Sequence, residues 1–193
     1  MGWGSSPMTA QGIMAVLVGA LDRHGIAFMV TGSFASSLFG SPRSTQDLDL
    51  VIEATAEQIV SLVGDLSSAG FYVELDSALA ALRRESQFNA IDPASGWKVD
   101  LIFRKSRPFS LREFERRVVV EFQGHALSVA TAEDMVIAKL EWAQRGGSQR
   151  QLEDVVSILR VQDSALDRGY VEQWVRELGL EATWRAAQAL LAE

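Results

Sequence analysis

Between Met8 and His24 the apolar residues Ile13, Val16, Leu17, Ala20 and Leu21 recur at three and four residues, the period of a helix with one buried face. Thr9 is placed to cap it and Gly25 to end it. The apolar run Ile26 to Val30, bounded by turn residues, predicts a buried strand, and Phe34 to Phe39 a short helix. Gly40-Ser41-Pro42-Arg43-Ser44 is loop by composition. Asp47 to Glu53 predicts a strand, Ala56 to Ala69 a helix closed by Gly70, and Phe71 to Leu75 another strand. Ser86 to Ile91 and Trp97 to Phe103 flank Asp92-Pro93-Ala94-Ser95-Gly96, whose turn chemistry predicts a hairpin. Arg117 to Phe122 and His125 to Val129 form two more short strands around Gln123-Gly124. Helical patterns then cover Ala132 to Gln144, Leu152 to Val161, Arg168 to Leu178 and Glu181 to Leu191. The chain thus reads as an α/β core over 1–130, with 1–7 a loose leader, and a helical lobe over 131–193 packed on it.

Of 193 residues, 48% are apolar, enough for a substantial core and too many for global disorder. The absence of cysteine excludes disulfides, zinc–thiolate sites and a cysteine nucleophile, and fits a reducing cytoplasm. No apolar run is long enough to span a bilayer, and residues 1–7 lack the basic and apolar regions of a signal peptide. The localisation expected is cytoplasmic, with no membrane partner. A formal net charge of −7 gives no global basic footprint for nucleic acid. Locally, Arg104, Lys105, Arg107, Arg112, Arg116 and Arg117 outnumber Glu113 and Glu115. That stretch reads either as a solvated helix of mixed charge or as a patch that holds a polyanion.

Asp47-Leu48-Asp49 places two carboxylates on one face of a strand, because residues two apart project to the same side. Side by side they repel unless a cation or a proton intervenes. Magnesium suits such a pair, since it takes a few carboxylates and completes its octahedron with water and substrate phosphates. The plainer reading is an exposed pair at a strand end. Asp100 lies within Trp97-Lys98-Val99-Asp100-Leu101-Ile102-Phe103, whose apolar residues suggest a central strand covered on both faces. A lone carboxylate there needs either a metal or a salt bridge to a basic side chain. Thr31-Gly32-Ser33 joins a strand to a helix. Glycine lets a phosphate approach the backbone, and the helix start and the serine hydroxyl can bind its oxygens. The same residues also read as a turn with a serine cap. His24 and His125, far apart at element ends, give little support for a histidine site.

Gly32-Ser33, a gap of thirteen residues, Asp47-Leu48-Asp49 and a later Asp100 together resemble the polymerase-beta-like nucleotidyltransferase superfamily. Two wider strings are similar to bacterial AbiE-type toxin nucleotidyltransferases. They are Arg43-Ser44-Thr45-Gln46-Asp47-Leu48-Asp49-Leu50, and Thr131-Ala132-Glu133-Asp134 through Lys139-Leu140 followed by Arg150-Gln151-Leu152-Glu153-Asp154-Val155. The resemblance implies an α+β nucleotidyltransferase fold, a mixed sheet flanked by helices and followed by a C-terminal helical lobe. It also implies a magnesium-dependent enzyme that moves a nucleoside monophosphate from a nucleoside triphosphate to an acceptor hydroxyl and releases pyrophosphate. Asp47, Asp49 and Asp100 would bind two Mg2+ ions, and Asp100 would help deprotonate the acceptor. Gly32 and Ser33 would hold phosphates, Lys139 would reach the triphosphate, and Arg43 and Thr45 would touch nucleotide or order the loop. Asp154 is expected to pair with Arg150, one turn away.

A toxin-like member would modify RNA, a tRNA 3′ end, and would have a cognate antitoxin. An antibiotic-modifying member would act on a small hydroxylated molecule, and an acidic surface suits a cationic one. A catalytically silent, nucleotide-binding or regulatory copy of the fold is the alternative from another class, and the retained trio of acids argues against it.

Overall fold

The computed structural model describes residues 9–41 and 45–192. In chain order the elements are α1 (Ala10–Arg23), β1 (Ala27–Thr31), α2 (Gly32–Phe39), β2 (Asp47–Glu53), α3 (Ala56–Ser68), α4 (Leu75–Arg83), β3 (Gln87–Ile91), β4 (Lys98–Phe103), α5 (Pro108–Arg116), β5 (Val118–Phe122), β6 (His125–Val129), α6 (Ala132–Gly146), α7 (Gln149–Gln162), α8 (Arg168–Glu177) and α9 (Glu181–Ala192). A short 3-10 turn, Asp163–Ala165, follows α7. None of these helices is long and apolar enough to cross a membrane. They gather into two compact units, one of residues 9–30 and 45–129, the other of residues 31–41 and 130–192.

The first unit is built on a mixed sheet with strand order β3-β4-β2-β1-β6-β5. β2 runs parallel to β4 and β1 parallel to β6, while β3 and β5 pair antiparallel with β4 and β6. Strand alternation sorts the residues of β2, β3 and β4 onto two faces. Leu48, Leu50, Ile52, Val99, Leu101, Phe103, Phe88 and Ala90 share one face and are buried. Asp47, Asp49, Lys98, Asp100 and Asn89 share the other. β4 is central, as its composition suggested, between β3 and β2; its apolar face is fully buried, and on the other face Asp100 is buried while Lys98 and Ile102 are half-buried. α1 and α3 pack against each other and supply Ile13, Leu17, Leu21, Ile59, Leu62 and Leu66 to the core. The Thr9 hydroxyl caps α1 by accepting from Gly12 N–H, and Gly25 ends it at φ +60°.

Phe71 to Leu75 does not form a strand. Only Tyr72 bridges, to Ile91, before the chain turns into α4, a helix that the pattern did not signal. Its start lacks a side-chain cap and its buried residues are the alanines Ala78 and Ala81, so neither a cap nor a strong apolar stripe marks it. In the basic stretch, α5 is the helix of mixed charge. Arg104 pairs with Glu53 at 2.7 Å, and Arg104, Arg107 and Arg117 each lie over a phenylalanine ring, Phe114, Phe109 and Phe114 in turn. These three guanidinium groups are thus engaged inside their own unit.

In the second unit α2, α6, α7, α8 and α9 enclose Ala35, Met135, Val136, Ile137, Leu140, Val155, Ile158, Leu159, Val171 and Trp184. α2 reaches α7 closely because residue 40 is glycine. A Cβ there would come within 2.7 Å of Ser157 Oγ and 3.2 Å of the α7 backbone. Ser41 N–H donates to that same Ser157 oxygen at 2.7 Å, and Gln162 Nε2 donates to Phe39 O at 2.9 Å. Thr131 caps α6 through Asp134 N–H, while the buried Asp134 carboxylate accepts from Thr131 Oγ1 and Tyr170 Oη, both at 2.7 Å.

Candidate active site

The three acids singled out in the sequence lie together on the polar face of the first unit. Asp49 is the direct cross-strand partner of Asp100, and Asp47 of Lys98. Hydrogen-bonded strands lie about 4.8 Å apart, so the Asp49 and Asp100 backbones are neighbours. Asp47 stands two residues along the same strand on the same face. Asp47 is exposed, Asp49 half-buried and Asp100 only 7% exposed. The register brings Asp100 beside the Asp47–Asp49 pair, although Asp47 is itself the exposed first residue of β2.

Two further residues complete the row, and the sequence reading did not select either. Lys98 Nζ lies 2.8 Å from Asp100 Oδ2. Asn89 lies opposite Asp100 on β3, and with its amide assigned so that the nitrogen faces the carboxylate it donates to Asp100 Oδ1 at 2.8 Å. Both carboxylate oxygens of Asp100 therefore face donors. The hydrogen bond to Asp100 holds the Lys98 pKa above its usual value, opposed by burial and helped by the charges of Asp100, Asp47 and Asp49. Parity could have found Lys98, two residues before Asp100; Asn89 required the hairpin register.

Thr45 orders the entry to β2, its Oγ1 accepting from Asp47 N–H at 3.2 Å. Arg43 lies outside the described residues. In the second unit, Gly32 opens α2 at φ +68°, a left-handed backbone that favours glycine. The cap position is Thr31, not Ser33. Its hydroxyl is turned toward Met135 Sδ at 3.4 Å and makes no capping bond. Lys139 is 3% exposed, buried rather than half-buried. It donates to Asp154 Oδ2 at 2.7 Å and Gln151 Oε1 at 3.1 Å, so the partner of Asp154 is Lys139 rather than Arg150. The two are fifteen residues apart, on α6 and α7, beyond the reach of a one-turn rule.

The carboxylates Asp47, Asp49 and Asp100 form a set of hard oxygen donors, the chemistry magnesium requires. Among the described residues, no three acidic or histidine side chains already surround a common point. The chemistry of these carboxylates would suit a divalent ion that takes its remaining ligands from water and substrate, and Asp100 is engaged by Lys98 and Asn89.

No family model and no curated protein matches the sequence. Solved structures do. ANT(2'')-Ia in complex with adenylyl-2''-tobramycin aligns over 91% of this chain and 99% of its own, with TM-score 0.58 and 14% identity. The lincosamide antibiotic adenylyltransferase LnuA, lincomycin-bound, aligns over 81% and 99%, with TM-score 0.55 and 10% identity. An antigenic nucleotidyltransferase-like protein from Paracoccidioides brasiliensis aligns over 94% and 95%, with TM-score 0.52 and 19% identity. At such identities the likeness is one of architecture: the six-stranded mixed sheet flanked by helices is the nucleotidyltransferase fold.

Proposed function

We propose that the protein is a magnesium-dependent nucleotidyltransferase that moves a nucleoside monophosphate from a nucleoside triphosphate to an acceptor hydroxyl. The observation that carries this reading is the cross-strand pairing of Asp49 with Asp100, beside Asp47 on the same face of the sheet. Asp47, Asp49 and Asp100 are assigned the metal, two ions in the full complex. When bound, the metal supplies neutralisation of the triphosphate charge and a lowered pKa for the acceptor hydroxyl. Asp100 takes the acceptor proton at a carboxylate oxygen as the acceptor oxygen bonds to the α-phosphorus and the bond to pyrophosphate breaks. Gly32 and Ser33 are assigned to the nucleotide phosphates and Arg43 to the nucleotide. Thr45 positions Asp47 through its backbone. Lys139 enters as the resident partner of Asp154, and reaching a triphosphate would require it to leave that carboxylate.

For the acceptor, we favour a small, cationic, hydroxylated molecule. Two structures of the same fold hold adenylyl-tobramycin and lincomycin, and the chain is acidic, with a net charge of −7. Of the six basic residues that could have guided RNA, Arg104, Arg107 and Arg117 are engaged with Glu53 or phenylalanine rings. A second reading, a toxin modifying tRNA and countered by an antitoxin, draws on the Lys139 and Asp154 strings, which meet as a buried pair at 2.7 Å. The test is incubation with magnesium and each α-labelled nucleoside triphosphate, offered separately a panel of aminated, hydroxylated antibiotics and total tRNA. Label should move to the small acceptors, and D49N and D100N should lower transfer by roughly 10²-fold or more. Label on tRNA alone would select the toxin reading. Transfer undiminished in either variant would remove the assignment.

A further inference from the structure

The row of acids already contains a cation. Asp47, Asp49 and Asp100 share one face, and Lys98 stands on that face directly opposite Asp47 and two residues from Asp100. Its ammonium lies 2.8 Å from Asp100 Oδ2, while Asn89 donates to Oδ1. The Asp100 side chain is 10% exposed and that of Lys98 37%, so the carboxylate is fixed in protein while the amine has a route to solvent. No three acidic side chains among the described residues surround a common point, although the register brings three together. A monovalent ammonium satisfies Asp100 from one side and offsets the mutual repulsion of the row without drawing its members around a centre.

We propose that Lys98 is the resident counter-ion of this carboxylate row and must be displaced from Asp100 before a divalent cation can use that ligand. The inference rests on the metal-binding reading above. Lys98 is a positioning residue in this account: it sets how readily the ion enters. Lysine suits the task better than arginine would, because its ammonium is a compact point charge on a flexible stem and can leave without breaking a bidentate fork.

The test is Mn2+ binding to the full chain in the absence of nucleotide, followed by calorimetry and by the spin-resonance signal of the free ion. K98M and K98Q should bind Mn2+ about tenfold more tightly than the unmodified protein, equivalent to ~1.4 kcal/mol. K98R, which keeps the charge, should not tighten. Equal or weaker binding by both K98M and K98Q overturns the proposal while leaving the metal-binding reading intact. Absence of Mn2+ binding by the unmodified protein and the variants overturns that reading and the proposal with it. A measurement on the unmodified chain covers the case of variants that do not fold. Its three lysines are Lys98, Lys105 and Lys139, so acylation with an amine-selective reagent can be read residue by residue. Mn2+ should raise modification of Lys98 relative to exposed Lys105. An unchanged ratio at saturating Mn2+ overturns the displacement.

Discussion

Replacing Lys139 by methionine removes its charge and the terminal Nζ while keeping an unbranched apolar stem, which tests chiefly the electrostatic part of the α6–α7 contact. The Lys139 side chain is 3% exposed and that of Asp154 10%, and Nζ lies 2.7 Å from Oδ2 with Gln151 as a second acceptor at 3.1 Å. Their neighbours in the unit include Val136, Leu140, Val155 and Ile158, all buried. In K139M the Asp154 carboxylate would keep its buried position and lose this counter-charge. Breaking a buried pair in this way costs about 3–5 kcal/mol. Removing the second charge as well, in K139M/D154L, should recover most of that loss, since well-packed apolar replacements of such pairs are often neutral. For a protein of this size, 1 kcal/mol moves the melting temperature by about 2–4 °C, so the single variant should melt roughly 6–20 °C lower. Urea unfolding followed by circular dichroism measures both variants against the parent. A loss below about 1 kcal/mol in K139M, the figure for an exposed pair, would refute the reasoning. So would a double variant no more stable than the single one.

Asp65 accepts from Arg23 and His24, and these hydrogen bonds hold its pKa below the ordinary carboxylate range. A depressed folded-state pKa adds stability that is present above the unfolded-state value and is lost as pH falls through the folded one. D65N should therefore be less stable than the parent at pH 7, with the gap closing as pH falls below the ordinary carboxylate range and shrinking in high salt; a gap that does not depend on acid would contradict this. Two glycine variants should move in opposite directions. G40A drives a Cβ against Ser157 and the α7 backbone and should cost about 1–3 kcal/mol. G64A, on the exposed side of α3 with nothing within 4 Å, should gain about 1 kcal/mol; chemical denaturation distinguishes the two directly.

Features fixed by local chemistry were legible in the sequence. β2 spans Asp47–Glu53 as its alternation indicated, and the β3–β4 hairpin closes around Asp92, whose carboxylate accepts from Ala94 and Ser95 N–H in the turn. α1 has its Thr9 cap and its glycine stop. Features that depend on partners distant in the chain were not legible. α4 carries no cap and buries only alanines, so its helical state owes more to packing on α3 and β3 than to its own pattern. Asp154 found its cation fifteen residues away because α6 and α7 pack side by side, whereas the local rule looked one turn along α7. In the site, the aspartates were visible because their spacing within one strand is local. The residues that hold Asp100 in place belong to register: Asn89 lies across the hairpin, and Lys98 gains meaning only when β4 is seen to present alternate residues to one face.

The central claim is that Asp47, Asp49 and Asp100 hold a divalent cation, and anomalous scattering from Mn2+ tests it with least intervening interpretation. Crystals grown with Mn2+ and a non-hydrolysable nucleoside triphosphate should show an anomalous peak with carboxylate oxygens of Asp47 and Asp49 in its coordination shell and with Asp100 released from Lys98. A fully occupied nucleotide with no anomalous peak at these aspartates, or with Mn2+ bound elsewhere, would contradict it.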